Sequence, residues 1–213
     1  MYWQRIFYTL LDELFPRFCV GCQKEGQTAC ADCLRSLPQQ PFWQDLDGLR
    51  VWSAYAYNAC DIDRYIQAWK YRGAQDFLPN WLSMIDWPRI EADLIIPVPL
   101  HKKRLLERGF NQADMIAAHV SKTLQVPRSS SVRRIRATKA QAKCDGDERR
   151  TNLRDAFLAD RAAVQGKRVL FIDDVVTTGS TLQACAQALQ QAGVREIVCI
   201  CIARGGLDPN VAS

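Results

Sequence analysis

Residues 169–181, VLFIDDVVTTGST, place an apolar run directly before two carboxylates and then a series of hydroxyl groups around a single glycine. Consecutive apolar residues predict a buried strand, and the apolar spacing that follows predicts a helix. A loop at a helix start offers backbone N–H groups and the positive end of the helix dipole, which together suit a phosphate. The carboxylates of Asp173 and Asp174 can accept hydrogen bonds from hydroxyls, so the stretch predicts a site for a sugar phosphate with a free diol. The candidates for phosphate binding are Thr177, Thr178, Gly179, Ser180 and Thr181.

From residue 93 onward, apolar runs typical of buried strands alternate with segments of helical periodicity. Strands separated by helices predict an α/β fold with a parallel, doubly wound sheet and flanking helices. Ligands bind such sheets beyond the carboxyl ends of the strands, which directs attention to the loops at 97–110, 137–154 and 173–181. Strands are predicted at 94–98, 132–136, 168–172 and 194–202, and helices at 113–124, capped by Asn111, and at 182–189.

Four of the nine cysteines form two CxxC pairs near the start of the chain, Cys19 with Cys22 and Cys30 with Cys33. Each pair can direct two thiolates at one centre, and two pairs complete the tetrahedral sulfur set that zinc prefers in structural sites. Because sulfur takes all four positions, no open position remains for catalysis. The spacing therefore predicts a structural zinc ion, with an iron–sulfur centre and, last, disulfides as the alternatives.

The net charge of +5 is unevenly placed along the chain. Residues 133–154 contain eight basic residues against three acidic ones, an excess equal to that of the whole chain. A basic run is often no more than a solvated surface. Because this one lies beside a predicted anion site, contact with phosphate is the alternative.

The strand, the acid pair and the Thr/Gly loop resemble the phosphoribosyl pyrophosphate fingerprint of the phosphoribosyltransferase family. Together with the cysteine pairs, further motifs are similar to those of the ComF family of competence-associated, phosphoribosyltransferase-like proteins, over nearly the whole length. These motifs are Lys70-Tyr71-Arg72-Gly73, Pro97-Val98-Pro99, Arg104, Arg108-Gly109-Phe110-Asn111-Gln112, Thr138 with Gln141, and Arg150 with Asn152.

The resemblance implies a type I phosphoribosyltransferase fold and a distribution of roles within it. It implies that Asp173 and Asp174, the catalytic candidates, hold the ribose hydroxyls while the loop at 177–181 holds the 5-phosphate. It also implies Mg²⁺ bound with the ligand, and a long loop at 137–154 that closes over the reacting centre. The implied pyrophosphate site comprises Val98, Pro99, Leu100, His101 and Lys102, with Arg104 and Arg108 close by.

Two functions of different classes follow from the resemblance. The first is transfer of the phosphoribosyl group to an acceptor that the sequence does not identify, in DNA uptake during natural transformation. The second is a non-catalytic module that senses phosphoribosyl pyrophosphate and binds single-stranded DNA, with other competence proteins as further partners. The candidates for the lid or for DNA contact are Arg133, Arg134, Arg136, Lys139, Gln141, Lys143, Arg149 and Arg150.

The domain organisation expected from these patterns has two parts. Residues 1–41 are expected to form an N-terminal helix and the zinc module. Residues 42–213 are expected to form the phosphoribosyltransferase-like domain, with a hood segment at 42–92 and a core at 93–213. No apolar run approaches the roughly 18 residues of a membrane span, and the odd cysteine count indicates a reducing compartment, so we expect a cytoplasmic protein.

Overall fold

The computed structural model describes residues 16–57, 61–72, 74–135 and 156–205. None of its helices combines the length and the apolar character needed to cross a bilayer. In chain order the elements are α1 (Ala31–Arg35), β1 (Phe42–Leu46), β2 (Leu49–Ala56), α2 (Ile62–Arg72), α3 (Leu78–Met84), β3 (Leu94–Pro97), α4 (Lys102–Arg108), α5 (Gln112–Leu124), β4 (Val132–Arg134), β5 (Phe157–Ala159), α6 (Arg161–Val164), β6 (Arg168–Val176), α7 (Ser180–Gln191) and β7 (Glu196–Arg204).

The chain divides into two compact units. The first comprises Met1–Pro38 and Cys60–Ile85, and the second comprises Gln39–Ala59 and Asp86–Ser213. By this division α2 and α3 belong to the same unit as the cysteine pairs, whereas the sequence groups them with the hood segment. The domain boundary expected after residue 41 stays a prediction.

Aromatic side chains of α2 and α3 form the centre of the first unit. Trp69 and Trp81 are fully buried, with ring centroids 6.4 Å apart in an edge-to-face arrangement. Phe77 lies 5.8 Å from Trp81, and Tyr65 lies 6.5 Å from Phe77. Such ring pairs contribute about 0.5–1.5 kcal/mol each beyond the area they bury. The cluster therefore gives this small unit an apolar centre.

The second unit is built on a five-stranded sheet with the strand order β1-β2-β7-β6-β3. The strands β2, β7, β6 and β3 run parallel to their neighbours, and β1 runs antiparallel to β2. The run at 169–172 is buried, as expected for a strand covered on both faces. The predicted α/β class with a mostly parallel sheet and flanking helices is confirmed, and the antiparallel edge strand is an addition.

The loops that follow strands β3 and β6 begin at the same edge of the sheet. Pro97 is the register partner of Ile172, and the N–H of Val98 donates to the carbonyl of Ile172 at 2.8 Å. Because the two strands are parallel neighbours, the predicted loops that follow residues 97 and 173 leave the same side of the sheet. The third predicted loop, at 137–154, lies outside the described residues.

The strand predicted at 132–136 does not lie in the main sheet. It ends at Arg134 and pairs antiparallel with β5, forming a two-stranded ribbon of its own. Only its first residue is fully buried, so it offers too little apolar surface for a central position in a parallel sheet. Beside β3 the structure has instead an isolated parallel bridge between Ile95 and Arg128.

Candidate functional site

The loop at 177–181, called the phosphate loop below, joins β6 to α7 in a conformation suited to an anion. Gly179 has a φ of 73°, a left-handed conformation that glycine adopts without strain, and it stands at the N-cap of α7. Because glycine has no capping oxygen, the first turn of the helix begins without a side-chain cap from this position. The hydroxyls of Thr178 and Ser180 lie 2.9 Å apart. The loop thus combines helix-start N–H groups with two neighbouring hydroxyls.

The end of β1 and the turn after it pack against the phosphate loop. A Cβ atom placed on Gly179 would overlap the side chain of Leu46 and lie 3.0 Å from its Cγ. The amide of Gln183, in α7, donates to the carboxylate of Asp47 in the same turn. Glycine is therefore required at position 179 both for its backbone conformation and for space.

The two acids lie within the last four residues of β6, both half-buried. The Asp173 carboxylate accepts the N–H of Asp174 at 2.9 Å, and the Asp174 carboxylate accepts the N–H of Val175 at 2.6 Å. Beside Asp173, burial raises the pKa of the Cys185 thiol, and the charge of the carboxylate raises it further. The acids are thus held near the end of the strand by local backbone bonds, two residues before the phosphate loop.

The loop after β3 is fixed by a side chain from the start of α5. The amide of Asn111 donates to the carbonyl of Val98 at 3.0 Å, and its oxygen accepts the N–H of Ala113 at 3.2 Å. The predicted cap of α5 is therefore confirmed, and the same residue holds the loop. Further along this loop, His101 caps α4 by accepting the N–H of Lys103 at 3.2 Å.

The cations predicted near pyrophosphate lie on α4. Lys102 and Arg104 are exposed, while Arg108 is half-buried and donates to the side-chain oxygen of Gln112 at 3.2 Å. Of the remaining predicted pyrophosphate residues, Val98 is buried, and Pro99, Leu100 and His101 are half-buried.

Two of the predicted lid or DNA residues are described. Arg133 is exposed, whereas Arg134 is half-buried with its guanidinium 5.4 Å from the ring centroid of Phe157. Burial lowers the pKa of Arg134, and the positive charge of Arg104 lowers it further. These two cations are therefore close enough to interact. Outside the described residues lie Arg136, Lys139, Gln141, Lys143, Arg149 and Arg150.

Pairing of β2 with β7 adds two residues that the sequence did not identify as part of a site. The N–H of Tyr57 donates to the carbonyl of Arg204 at 2.8 Å. A Cβ atom on Gly205 would lie 3.5 Å from the Thr177 methyl group and 3.7 Å from Tyr57 Cβ. Tyr57 and Arg204 therefore stand beside the phosphate loop. Tyr57 and Arg204 are almost 150 residues apart in the sequence, so no local pattern links them.

The four predicted metal ligands converge in the first unit. Their sulfur atoms all lie within 4.8 Å of one another, with Cys22 and Cys30 at 3.7 Å. A disulfide requires about 2.05 Å between sulfurs, so these are free thiols. Four thiols at this separation can bind one metal ion.

The thiols of this cluster differ in acidity because their surroundings differ. Burial opposes ionisation of Cys19, but the backbone N–H groups of Cys22, Cys30 and Gly21 outweigh it and lower the pKa to about 6. For Cys33, burial and the neighbouring sulfurs raise the pKa to about 12. These surroundings stabilise one thiolate and oppose the formation of a second beside it. A bound cation would neutralise the set and allow all four thiols to ionise.

A cavity of about 1300 Å³ lies in the first unit. Its lining includes Tyr71 and the ion pair between Arg17 and Asp76, whose charged atoms are 3.4 Å apart. Opposite charges on its wall therefore offset one another. None of the residues named above at the carboxyl edge of the sheet lines this cavity.

Residues 107–210 match the family described as phosphoribosyl transferase domain. With the mostly parallel sheet and the loop after β6, this match defines the class of the protein, a type I phosphoribosyltransferase-like fold carrying a four-cysteine cluster. Competence protein F of Haemophilus influenzae is 31% identical over 196 residues, which cover 86% of this chain and 82% of that protein. The chain belongs to the ComF family, as the sequence motifs predict.

Two further relatives match shorter parts of the chain. DNA utilization protein YhgH of Escherichia coli O157:H7 is 40% identical over 113 residues, which cover 53% of this chain and 49% of YhgH. Competence protein ComFC of Bacillus subtilis is 30% identical over 146 residues, which cover 66% of this chain and 58% of ComFC.

Proposed function

We propose that the chain binds phosphoribosyl pyrophosphate together with Mg²⁺ at the phosphate loop and transfers the phosphoribosyl group to an acceptor. The observation that carries the proposal is the position of Asp173 and Asp174 near the end of β6, two residues before the loop around Gly179. Phosphoribosyl pyrophosphate carries a phosphate on C5 of the ribose and a diol on C2 and C3. A loop of N–H donors beside two carboxylates is complementary to both groups.

In this proposal the 5-phosphate occupies the phosphate loop. The hydroxyls of Thr178 and Ser180, 2.9 Å apart, and the N–H groups at the start of α7 supply the donors. Leu46 packs on Gly179 and limits the space into which this part of the loop could shift. A preformed loop of dipoles binds an anion without paying for reorganisation.

The ribose hydroxyls then donate to Asp173 and Asp174. Each carboxylate uses an oxygen for a backbone N–H and retains further acceptor capacity, since an ionised carboxylate has about four lone-pair sites. When bound, Mg²⁺ supplies neutralisation of the pyrophosphate charge as that group leaves. Residues 98–102 with Arg104 and Arg108 are the proposed pyrophosphate site, because their loop leaves the sheet next to β6.

The reaction that fits these groups is displacement at the anomeric carbon of the ribose. The bond from this carbon to pyrophosphate breaks, and its electron pair leaves with the pyrophosphate. A lone pair of the acceptor forms the new bond to the same carbon. The chain positions the two ends of the sugar and stabilises charge rather than forming a covalent intermediate. The lid proposed at 137–154 would exclude water from the reacting carbon.

A second candidate is a binding module that retains the ligand site as a sensor and holds single-stranded DNA. Its support is the basic excess of residues 133–154 and the names of the relatives, which are competence and DNA utilization proteins. Both candidates place the chain in DNA uptake or use, in the cytoplasm, with DNA and other competence proteins as proposed partners.

We further propose that the metal of the four-cysteine cluster is zinc and that its role is structural. The sulfur-only ligand set leaves no position for substrate. Zinc binding would stabilise the first unit, which is small: its described helices contain only 5, 11 and 7 residues.

Pyrophosphate release separates the two candidates. Wild-type protein with Mg²⁺ and phosphoribosyl pyrophosphate is expected to release pyrophosphate faster when a mixture of nucleobases, amines and oligonucleotides is added as candidate acceptors. An Asp174→Asn variant should lose this release, and Asp160→Asn, which only changes the cap of α6, should keep it. Tight binding of the ligand without release under any of these conditions would favour the sensor.

A further inference from the structure

Arg204 is a buried cation whose guanidinium has no ion-pair partner among the described residues. Its side chain is 6% exposed, and within the described part of the chain Nε and Nη1 have no hydrogen-bond partner. A guanidinium keeps its proton at any ordinary pH, so it cannot avoid the cost of burial by becoming neutral. Burial accordingly lowers its pKa. A folded protein can retain such a buried cation when a bound anion balances its charge and accepts its unpaired N–H groups.

The backbone around Arg204 is fixed on both sides. Arg204 is the register partner of Val176 in β6 and of Ala56 in β2. Its carbonyl accepts the N–H of Tyr57, and the next residue, Gly205, donates its N–H to the carbonyl of Val176, both at 2.8 Å. Val176 directly precedes the phosphate loop. The side chain therefore starts from a rigid position one strand away from the beginning of that loop.

The phosphate loop itself has no cation. From residue 169 to residue 194 the sequence contains no Lys and no Arg, so a phosphate held there meets only neutral donors from its own segment. Charge-assisted hydrogen bonds are roughly twice as strong as neutral ones, and a guanidinium can bind an oxyanion through two parallel N–H groups. Arg204, the last residue of the adjoining strand β7, is a cation whose backbone pairs with the residue that precedes the loop.

We propose that Arg204 binds an oxyanion of the molecule that occupies the phosphate loop, and that this ion pair forms only when the molecule is bound. The inference rests on the proposed function for the identity of that molecule. The oxyanion is either the 5-phosphate or an acidic group of the acceptor, which would stand beside Tyr57 at the same strand end. Both sources require the same guanidinium, and ligand binding offsets the cost of burying it.

The test compares Arg204→Met, which keeps length and removes charge, with Arg204→Lys, which keeps charge and loses the two-pronged contact. Arg195→Met, an exposed arginine next to the start of the same strand, is the matched control. Calorimetry first measures binding of ribose 5-phosphate to each protein. A second titration, in the presence of ribose 5-phosphate, measures binding of nicotinate, a planar carboxylate that represents an acidic acceptor. Thermal unfolding without ligand is measured in parallel.

We expect Arg204→Met to weaken ribose 5-phosphate binding at least 10-fold if the oxyanion is the phosphate. If the loss is confined to nicotinate, the oxyanion is an acidic group of the acceptor. In either case Arg204→Lys loses less, Arg195→Met is unchanged, and the unliganded Met variant unfolds no lower than wild type because an unpaired buried charge is gone.

Unchanged binding of both probes by a folded Arg204→Met protein would overturn the inference and leave the proposed function standing. If the Met variant fails to fold, the Lys variant decides. Wild-type affinity of Arg204→Lys for both probes would then overturn the inference. If wild type binds neither ribose 5-phosphate nor phosphoribosyl pyrophosphate, the proposed function fails and the inference with it.

Discussion

Leu46, the last residue of β1, occupies the space that a side chain on Gly179 would need. The two residues are 133 positions apart in the sequence, and the contact joins an antiparallel edge hairpin to the phosphate loop. A second bond, from Gln183 to Asp47, ties the turn after β1 to α7. The edge hairpin therefore shapes the loop that we propose binds the phosphate.

A Gly179→Ala variant tests this relationship. Alanine in a left-handed conformation costs about 1–2 kcal/mol, and overlap with Leu46 adds about 1–3 kcal/mol, so we expect the free energy of unfolding to fall by about 2–5 kcal/mol. Adding Leu46→Ala makes room and should recover part of this loss, which a double-mutant cycle in urea measures. Strictly additive effects would mean that the two side-chain positions do not compete for space.

The class of fold was predictable from the sequence because the signals that define it are local. The run at 169–172, the acids and the Thr/Gly loop lie within 13 residues, and the structure places them on β6 and at the start of α7. Strand β1 was not predicted because a short edge strand with alternating half-burial lacks the apolar run of a central strand. The alternation of strand and helix patterns places the weak strand at 132–136 in the parallel sheet, yet its burial fits only a two-stranded ribbon.

The parts of the site that were missed depend on contacts between distant residues. Tyr57 and Leu46 reach the phosphate loop only because β2 pairs with β7 and β1 pairs with β2, and no local pattern encodes either pairing. The burial of Arg204 without a partner also follows from tertiary packing. The cysteine cluster was predictable in full, since CxxC spacing alone brings each pair of thiols together.

Zinc is expected at one ion per chain in freshly purified protein, by elemental analysis. A Cys22→Ser and Cys33→Ser double variant should lose the metal and unfold its unit, because structural zinc supplies on the order of 10 kcal/mol to such modules. Cys185→Ala, a change to a buried thiol of the second unit, should keep the zinc content while costing about 1 kcal/mol from the cavity it leaves. Metal-free wild type, or a folded double variant, would contradict the assignment.

The ion pair of Asp93 with Arg168 predicts a pH dependence of stability. Hydrogen bonds from the Arg168 side chain and backbone, 2.8 Å for the latter, lower the pKa of Asp93 from 3.8 to about 2. A lowered pKa means that the carboxylate stabilises the fold above about pH 4 and that this contribution is lost as the pH falls towards 2.

Asp93→Asn should therefore lower the Tm at pH 7, and its difference from wild type should shrink between pH 4 and pH 2. Glu107→Gln, which removes an exposed helix pair with Lys103 at 3.9 Å, serves as the control and should change little throughout. A Tm difference for Asp93→Asn that stays constant down to pH 2 would show that the pair's charge is not the cause.

Single-stranded DNA is expected to bind weakly and without sequence preference through the basic segment. Each phosphate neutralised on a single strand adds roughly 0.7 to the log–log slope of affinity against salt. Replacing Arg133, Arg134 and Lys139 by Ala should lower both affinity and slope, the slope by about 2 if all three touch phosphate. The control is a second triple variant in which Arg161, Lys167 and Arg195 are replaced by Ala. It removes the same amount of charge outside the basic segment.

Equal losses in the two triple variants would point to net charge rather than to a defined surface. If the first variant keeps its DNA affinity and loses pyrophosphate release, the basic segment serves the ligand site, and any link to DNA runs through a partner.

Binding of the diol of phosphoribosyl pyrophosphate by the acids of β6 is tested most directly by calorimetry with Mg²⁺ on an Asp173→Asn and Asp174→Asn double variant. Asparagine keeps the size and the oxygen that accepts the following N–H, so the Tm should hold. Hydrogen bonds to a charged acceptor contribute about 1.5–3 kcal/mol each, so losing two should weaken binding at least 100-fold. Wild-type affinity in the double variant, with an unchanged Tm, would contradict the claim.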